Sequence, residues 1–196
     1  MADRKARVVR ETAETNVKVE LSIDGSGRFE ITTGTRMFDH LLAQLAQHGS
    51  FDIMVSASGE DQHHLVEDVG ISLGKAFNQA LGKKQGITRM AHAVVPMDEA
   101  LSEVAVDVGG RAYSVIQVCF GGATIGDMEA DMVRHFLSSF ASEAKINLHA
   151  SIATGINDHH KVESLFKALG RALDSATRID ERLLGRIPST KDVIES

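Results

Sequence analysis

Apolar and polar residues alternate from Arg7 to Ile23, with Val17, Val19, Leu21 and Ile23 on one side, the two-residue period of a half-buried strand. Asp24-Gly25-Ser26-Gly27 is a turn signal, and Phe29 to Thr33 is the expected hairpin partner. The period then changes. Phe38, Leu41, Leu42 and Leu45 recur at helical spacing over Phe38 to His48, with Gly49 placed to end the helix. Phe51 to Ala57 reads as a strand, and after Gly59-Glu60-Asp61-Gln62 a helix runs to about Leu81, closed by Gly82. The second half replays this order. Leu101 to Val108 alternates, Gly109-Gly110 turns, and Ala112 to Val118 returns. Gly121 to Asp127 is an irregular connection, Glu129 to Ala144 a helix, Ile146 to Ala153 a strand, and His159 to about Thr177 the final helix. Each half is thus strand, strand, helix, strand, helix. Two such halves predict an α+β fold with internal duplication, each sheet covered on one face by helices. The repeats are assigned to 1–92 and 93–182 of a single compact domain, with 183–196 as a tail.

The duplication extends to chemistry. His63-His64-Leu65-Val66-Glu67 returns 96 residues later as His159-His160-Lys161-Val162-Glu163, so that both copies read HHxxE. Each opens an apolar-periodic run and therefore stands at the start of a helix, where residues three and four apart share a face. Glu67 can converge there with His63 or His64. Adjacent histidines diverge by about 100° on a helix, so one copy suits two metals, or a metal and a substrate, better than a single ion. At the same offset Leu73-Gly74-Lys75-Ala76-Phe77 matches Leu169-Gly170-Arg171-Ala172-Leu173. His40 precedes the first motif by 23 residues and His135 the second by 24. A lone histidine on an apolar helix is usually a satisfied core residue, but matched positions in two halves point to a metal site. Six imidazoles and two carboxylates are available in all.

Composition narrows the class. A formal charge of −6 argues against a general nucleic-acid binder. No apolar run reaches membrane-spanning length, and the polar start Met1-Ala2-Asp3-Arg4-Lys5 does not read as a signal peptide. The single Cys119 excludes an internal disulfide framework and suits the cytoplasm; it reads as a small apolar residue in the strand Val115 to Phe120. Any metal must therefore depend on imidazole and carboxylate. The unpatterned tail carries Gly185-Arg186-Ile187-Pro188-Ser189-Thr190-Lys191, whose hydroxyls and ammonium suit a phosphate.

These residues carry a family resemblance. Arg10-Glu11-Thr12-Ala13-Glu14-Thr15-Asn16, Phe38-Asp39-His40-Leu41-Leu42, the first HHxxE with Asp68, and Met97-Asp98-Glu99-Ala100-Leu101 occur in order. Gly155-Ile156-Asn157-Asp158 leading into the second HHxxE, and Ile187-Pro188-Ser189-Thr190-Lys191, complete the set. In these segments the chain resembles imidazoleglycerol-phosphate dehydratase, the enzyme of histidine biosynthesis that converts imidazole glycerol phosphate to imidazole acetol phosphate. Asp192 stands where that family commonly has glycine.

The resemblance implies a hydro-lyase with two Mn²⁺ ions per active site, held by His40, His63, His64, Glu67, His135, His159, His160 and Glu163. Which histidine serves which ion is not set by spacing, and zinc or iron would accept the same ligands. The resemblance further implies Glu14 as the general acid/base, Gln44, Arg89, Arg111, Ser189 and Lys191 as phosphate contacts, and Lys167 near the substrate's polar atoms. It implies assembly of trimers into a 24-subunit shell, with metal sites completed between chains. The substrate proton is not activated by a carbonyl, so plain elimination would be slow. An imidazole bound through both nitrogens can lose its N–H proton, because cations lower its pKa. The electron-rich ring then expels the hydroxyl next to it through a diazafulvene-like intermediate. The alternative is a non-catalytic protein whose histidine clusters serve metal-dependent assembly.

Overall fold

The structure, a computed structural model, describes residues 4–194. The first three residues of the polar start and the last two of the tail lie outside them. The first half contributes β1 (Lys5–Glu11), β2 (Thr15–Ser22), β3 (Phe29–Thr32), α1 (Arg36–Gly49), β4 (Asp52–Gly59) and α2 (Gln62–Leu81). The second contributes β5 (Met90–Met97), β6 (Ala100–Asp107), β7 (Tyr113–Gln117), a small β8–β9 hairpin (Thr124–Ile125 and Met128–Glu129), α3 (Met132–Ala144), β10 (Asn147–Thr154) and α4 (Asp158–Thr177). A single 3₁₀ turn, Glu181–Leu183, precedes the tail.

The α+β class and the duplication are as expected, but the first half holds one strand more, and the second holds β5 and the small β8–β9 hairpin in addition. The alternation over 7–23 is two strands rather than one. Thr12 turns the chain between them: its hydroxyl accepts from the backbone N–H groups of Glu14 and Thr15 at 3.1 and 2.9 Å. No glycine or proline marks this turn. β5 lies outside the expected pattern; it holds Pro96 at a sheet edge, where proline is tolerated. The hairpin partners also differ. The sheets run β1-β2-β4-β3 and β5-β6-β10-β7, so β3 pairs in parallel with β4, and β7 in parallel with β10. Cys119 falls beyond the end of β7 and is exposed.

The alternating residues of β2 and β6 do what their period requires: Val17, Val19, Val104 and Val106 are buried under helices. α2 packs on β1 and β2, and α4 on β5 and β6. The halves meet helix to helix, α1 against α4 and α2 against α3. Phe136 closes the middle, with ring centroids 5.4 Å from Phe38 and 5.4 Å from Phe166. The repeated glycines make these crossings possible. A β-carbon on Gly170 would stand 2.8 Å from the Leu45 carbonyl oxygen, and one on Gly74 2.6 Å from that of Phe140. Both contacts are closer than carbon and oxygen can pack, so only glycine lets these helix pairs approach so nearly. Among the described residues no helix is long and apolar enough to cross a membrane.

Candidate metal centre

Both HHxxE motifs are held by their helix caps. Asp61 precedes α2 and its carboxylate accepts from the His64 backbone N–H at 3.1 Å. Asn157 precedes α4 and its side-chain oxygen accepts from His159 N–H at 2.9 Å and His160 N–H at 3.4 Å. A short polar residue directly before the helix is a signal visible in the sequence. It fixes the first turn, where the histidines are.

The close crossing of α1 and α4 then brings His40 of one half to the HHxxE of the other. His40 Nε2 lies 2.8 Å and His159 Nε2 3.0 Å from Glu163 Oε2. One donor atom from each residue falls within 4.8 Å of the other two, close enough for one metal ion. The other Glu163 oxygen accepts from Lys167 Nζ at 2.7 Å. Burial pushes the Glu163 carboxyl up, but Lys167 and His40 outweigh it and hold it down at about 2. It is therefore an anionic ligand at any neutral pH.

The crossing of α2 and α3 gives the counterpart. His63 and His135 stand with ring centroids 4.2 Å apart. Here no carboxylate closes the group: His135 Nε2 meets Asp131 Oδ2 of its own helix at 3.0 Å. The second histidine of each motif points elsewhere. His64 Nδ1 is 3.4 Å from Glu14 Oε2, and His160 Nδ1 is 2.7 Å from Glu99 Oε2. The Glu99 carboxyl is held down to about 2 by His160 first and then by the Asn157 backbone N–H. Gln44 lies one turn after His40 on α1 and is partly exposed.

Between these helix starts runs the segment that breaks the duplication, the β8–β9 hairpin. Thr35 precedes α1 without capping it through its side chain. Asp127 does so instead, accepting from the Arg36 and Met37 backbone N–H groups at 3.0 and 2.8 Å. Gln62, the first residue of α2, donates to Asp127 O at 3.0 Å and accepts from Glu129 N–H at 2.8 Å. Asp158, the first residue of α4, accepts from Gly121 and Gly122 N–H. The segment expected to be an irregular connection thus joins the starts of the three helices that carry His40, the first HHxxE and the second. Nothing local in the sequence announces these long-range bonds.

The remaining predicted residues gather far away. Arg89, Arg111, Ser189 and Lys191 line one cavity of about 740 Å³. Arg89 ties it together: its guanidinium donates to Asp107 at 2.7 and 3.0 Å and to the Pro188 carbonyl at 2.8 Å. Asp192 in its wall takes φ 52°, a left-handed conformation that glycine adopts more readily than aspartate. The Arg89 backbone N–H bonds to Ala176 O, at the far end of α4 from His159. Seventeen residues of helix separate the two ends, about 26 Å.

Comparisons with known proteins place the chain in a family. A family model described as imidazoleglycerol-phosphate dehydratase matches residues 33–173. The chain is 55% identical to the imidazoleglycerol-phosphate dehydratase of Dehalococcoides mccartyi over 196 residues, the whole of both chains. It is 50% identical to that of Methanothermobacter thermautotrophicus over 191 residues, 96% of each. Among solved structures, the Pyrococcus furiosus enzyme in complex with (S)-C348 superposes with a TM-score of 0.83 at 34% identity, covering 95% of this chain and 99% of that one. The Staphylococcus aureus enzyme does so with a TM-score of 0.83 at 27% identity, covering 90% and 99%. With matches over its full length, in sequence and in fold, the chain belongs to the imidazoleglycerol-phosphate dehydratase family of hydro-lyases.

Proposed function

We propose that the chain removes water from imidazole glycerol phosphate to give imidazole acetol phosphate with Mn²⁺, and that its active site is assembled from several copies. The observation that carries this reading is the separation within one chain. The histidine clusters lie at one end of α4 and the cavity of Arg89, Arg111, Ser189 and Lys191 near the other, about 26 Å away along the helix. A substrate with a three-carbon chain cannot bridge that distance. A neighbouring copy can bring its cationic cavity to this copy's histidines, in keeping with a closed homo-oligomer such as the 24-mer built from trimers.

The donor set fits the metal. His40, His159 and Glu163 would hold one ion, and His63 and His135, with Glu67 after a side-chain rotation, a second. His64 and His160 point away from the clusters on their own helices, as ligands that complete an ion held mainly by another copy would. When bound, the two ions supply Lewis acidity that lowers the pKa of the substrate's imidazole N–H. The chain's own groups do the rest. Arg89, Arg111, Ser189 and Lys191 anchor the phosphate, joined by Gln44 in the assembled site, and Lys167 lies near the substrate's polar atoms. The ring expels the hydroxyl on the carbon attached to it. Glu14, exposed and beside His64, takes the proton from the next carbon, and the enol formed there becomes the ketone as a proton returns to the first carbon.

The test is direct. Incubation with imidazole glycerol phosphate and Mn²⁺ yields the ketone product, and Glu14→Gln lowers turnover by on the order of 10²-fold or more, with Mn²⁺ content and particle size kept. Near-normal turnover in that variant with full manganese would remove Glu14 from the mechanism. Removal of metal by a chelator reduces the particle to smaller oligomers, and Mn²⁺ restores it; unchanged size by light scattering after verified metal loss contradicts shared sites.

A further inference from the structure

The duplication supplies two carboxylates in equivalent places, and their surroundings differ. Glu14 directly precedes β2 and faces the second histidine of the first HHxxE; Glu99 directly precedes β6 and faces the second histidine of the second. The longer turn before β2, residues 12–14, leaves the Glu14 side chain 63% exposed, with His64 at 3.4 Å as its partner. The turn before β6 is a tight two-residue hairpin, Met97 pairing with Ala100, and it drives Glu99 against the start of α4. There Glu99 Oε1 accepts from the Ile156 and Asn157 backbone N–H groups at 3.1 and 2.7 Å, while Oε2 takes His160 Nδ1 at 2.7 Å. Asn157 in turn caps both histidines of the motif. Glu99, the cap and the His160 ring form one hydrogen-bonded frame.

We propose that Glu99 is a positioning residue for the metal centre, holding His160 in the tautomer that presents Nε2 as a metal donor, whereas its counterpart Glu14 is left free to carry a proton. The inference rests on the reading of His160 as a metal ligand. An ionised carboxylate can only accept, so the ring nitrogen facing it must bear hydrogen. In the neutral ring, the form that binds metal, the other nitrogen, Nε2, then keeps the lone pair for a cation. A carboxylate already engaged by two backbone donors and a ring is a poor proton shuttle, because each transfer would break that frame.

The experiment titrates the assembled protein with Mn²⁺, following the free aquo ion by electron paramagnetic resonance. In Glu99→Gln one class of sites weakens by about 10- to 100-fold and the other class is unchanged. Introduced into a His160→Ala background, Glu99→Gln adds no further loss, because the residue acts through that ring. At saturating Mn²⁺ the turnover of Glu99→Gln returns to within several-fold of the parent, whereas that of Glu14→Gln stays low at any metal concentration. Unchanged affinity for both classes in Glu99→Gln, or an equal loss in the His160→Ala background, overturns the proposal. So does turnover that stays low under saturating metal, which would make Glu99 a proton carrier. If the parent protein itself binds no Mn²⁺ in this titration, the metal reading fails along with it, an outcome distinct from a parent that binds and a variant that matches it.

Discussion

The two histidine clusters descend from one repeated pattern, yet only one is closed as it stands. Around α1 and α4, His40 and His159 both meet Glu163. Around α2 and α3, His63 and His135 are as near to each other, but Glu67 does not complete a three-ligand group, and His135 is tied to Asp131. The difference traces to neighbours rather than to the motif. One turn after Glu163 stands Lys167, which bonds its outer oxygen and holds the carboxylate in the helix crossing; one turn after Glu67 stands Ile71, which offers no such anchor. Duplicated ligands thus become unequal sites when the residues behind them diverge. On the proposed reading one cluster is preformed, and the other would have to draw Glu67 in before it could hold an ion.

The largest effect follows from that inequality. Manganese titration of the parent protein is expected in two phases, the tight one belonging to His40, His159 and Glu163. Glu163→Gln abolishes the tight phase, weakening it by on the order of 10²-fold or more, since even indirect supports of metal ligands are worth 10- to 100-fold. Glu67→Gln removes the weak phase alone. A single phase in the parent, or equal effects of the two variants, would show that assembly has erased the difference between the clusters.

Next in size is a test of the scaffold. Gly170→Ala places a methyl group 2.8 Å from a backbone oxygen of α1, so the helices must separate, at a cost of about 1–3 kcal/mol. Gly74→Ala does the same to α2 and α3. Both variants should melt early, but Gly170→Ala should degrade the tight manganese phase and Gly74→Ala the weak one. If both lose stability with neither phase affected, helix approach does not set the ligand geometry.

How much of this could be read from the chain depends on how local each cause is. The doubled HHxxE, the helices that carry it and the ends of those helices at Leu81 and Thr177 were legible, because periodicity and caps are local. The repeated glycine was visible as a repeat, although its reason, a neighbouring backbone, was not. Strand partners were misread. A parallel pair such as β3 with β4 is joined through α1, and the residues of β3 do not record which strand they will meet. Asp127 and Glu99 escaped for the same reason: each acts on a helix start that is distant in sequence. Glu14 as an acid/base was suggested only through resemblance, since in isolation it is an ordinary surface residue, whereas the hydroxyls and ammonium of the tail suggested a phosphate by themselves.

Acidification separates the clusters from the fold around them. Free imidazoles titrate near pH 6.5, and protons then compete with metal, so activity and particle size should fall together below about pH 6. The carboxylates behave otherwise. Glu163, held at about 2 against an ordinary 4.5, gives stability that is present above the ordinary value and lost only as pH falls through about 2. Asp52 is held below the usual range by Arg28 against the cost of burial, and its contribution is likewise retained until strongly acid pH. Circular dichroism should therefore report a folded chain at about pH 5, where manganese has already left. Full metal occupancy at that pH, or loss of fold and metal at one midpoint, would contradict the assignment to histidine.

The smallest effect is the most pointed, because it asks what Lys167 does. Lys167→Ile gives the second half the residue the first half carries at Ile71. Two consequences compete. Removing an ammonium 2.7 Å from a metal-binding carboxylate removes a repulsion on the incoming cation and favours binding. It also frees the carboxylate to leave the position in which His40 and His159 meet it. Lys167 and Glu163 are largely shielded from solvent, so this repulsion is only partly screened and amounts to about a few-fold or more in affinity. If charge dominates, manganese binds about three- to tenfold more tightly to Lys167→Ile at neutral pH. If anchoring dominates, the tight phase weakens and merges with the weak one, and the second half comes to behave like the first. Because Lys167 is itself bonded to Glu163 and lies within reach of Met97 Sδ at 3.8 Å, it is fixed by its surroundings, and anchoring is the expected result. Tighter binding would show instead that the inequality of the clusters arises elsewhere, with the Asp131–His135 pair as the remaining cause.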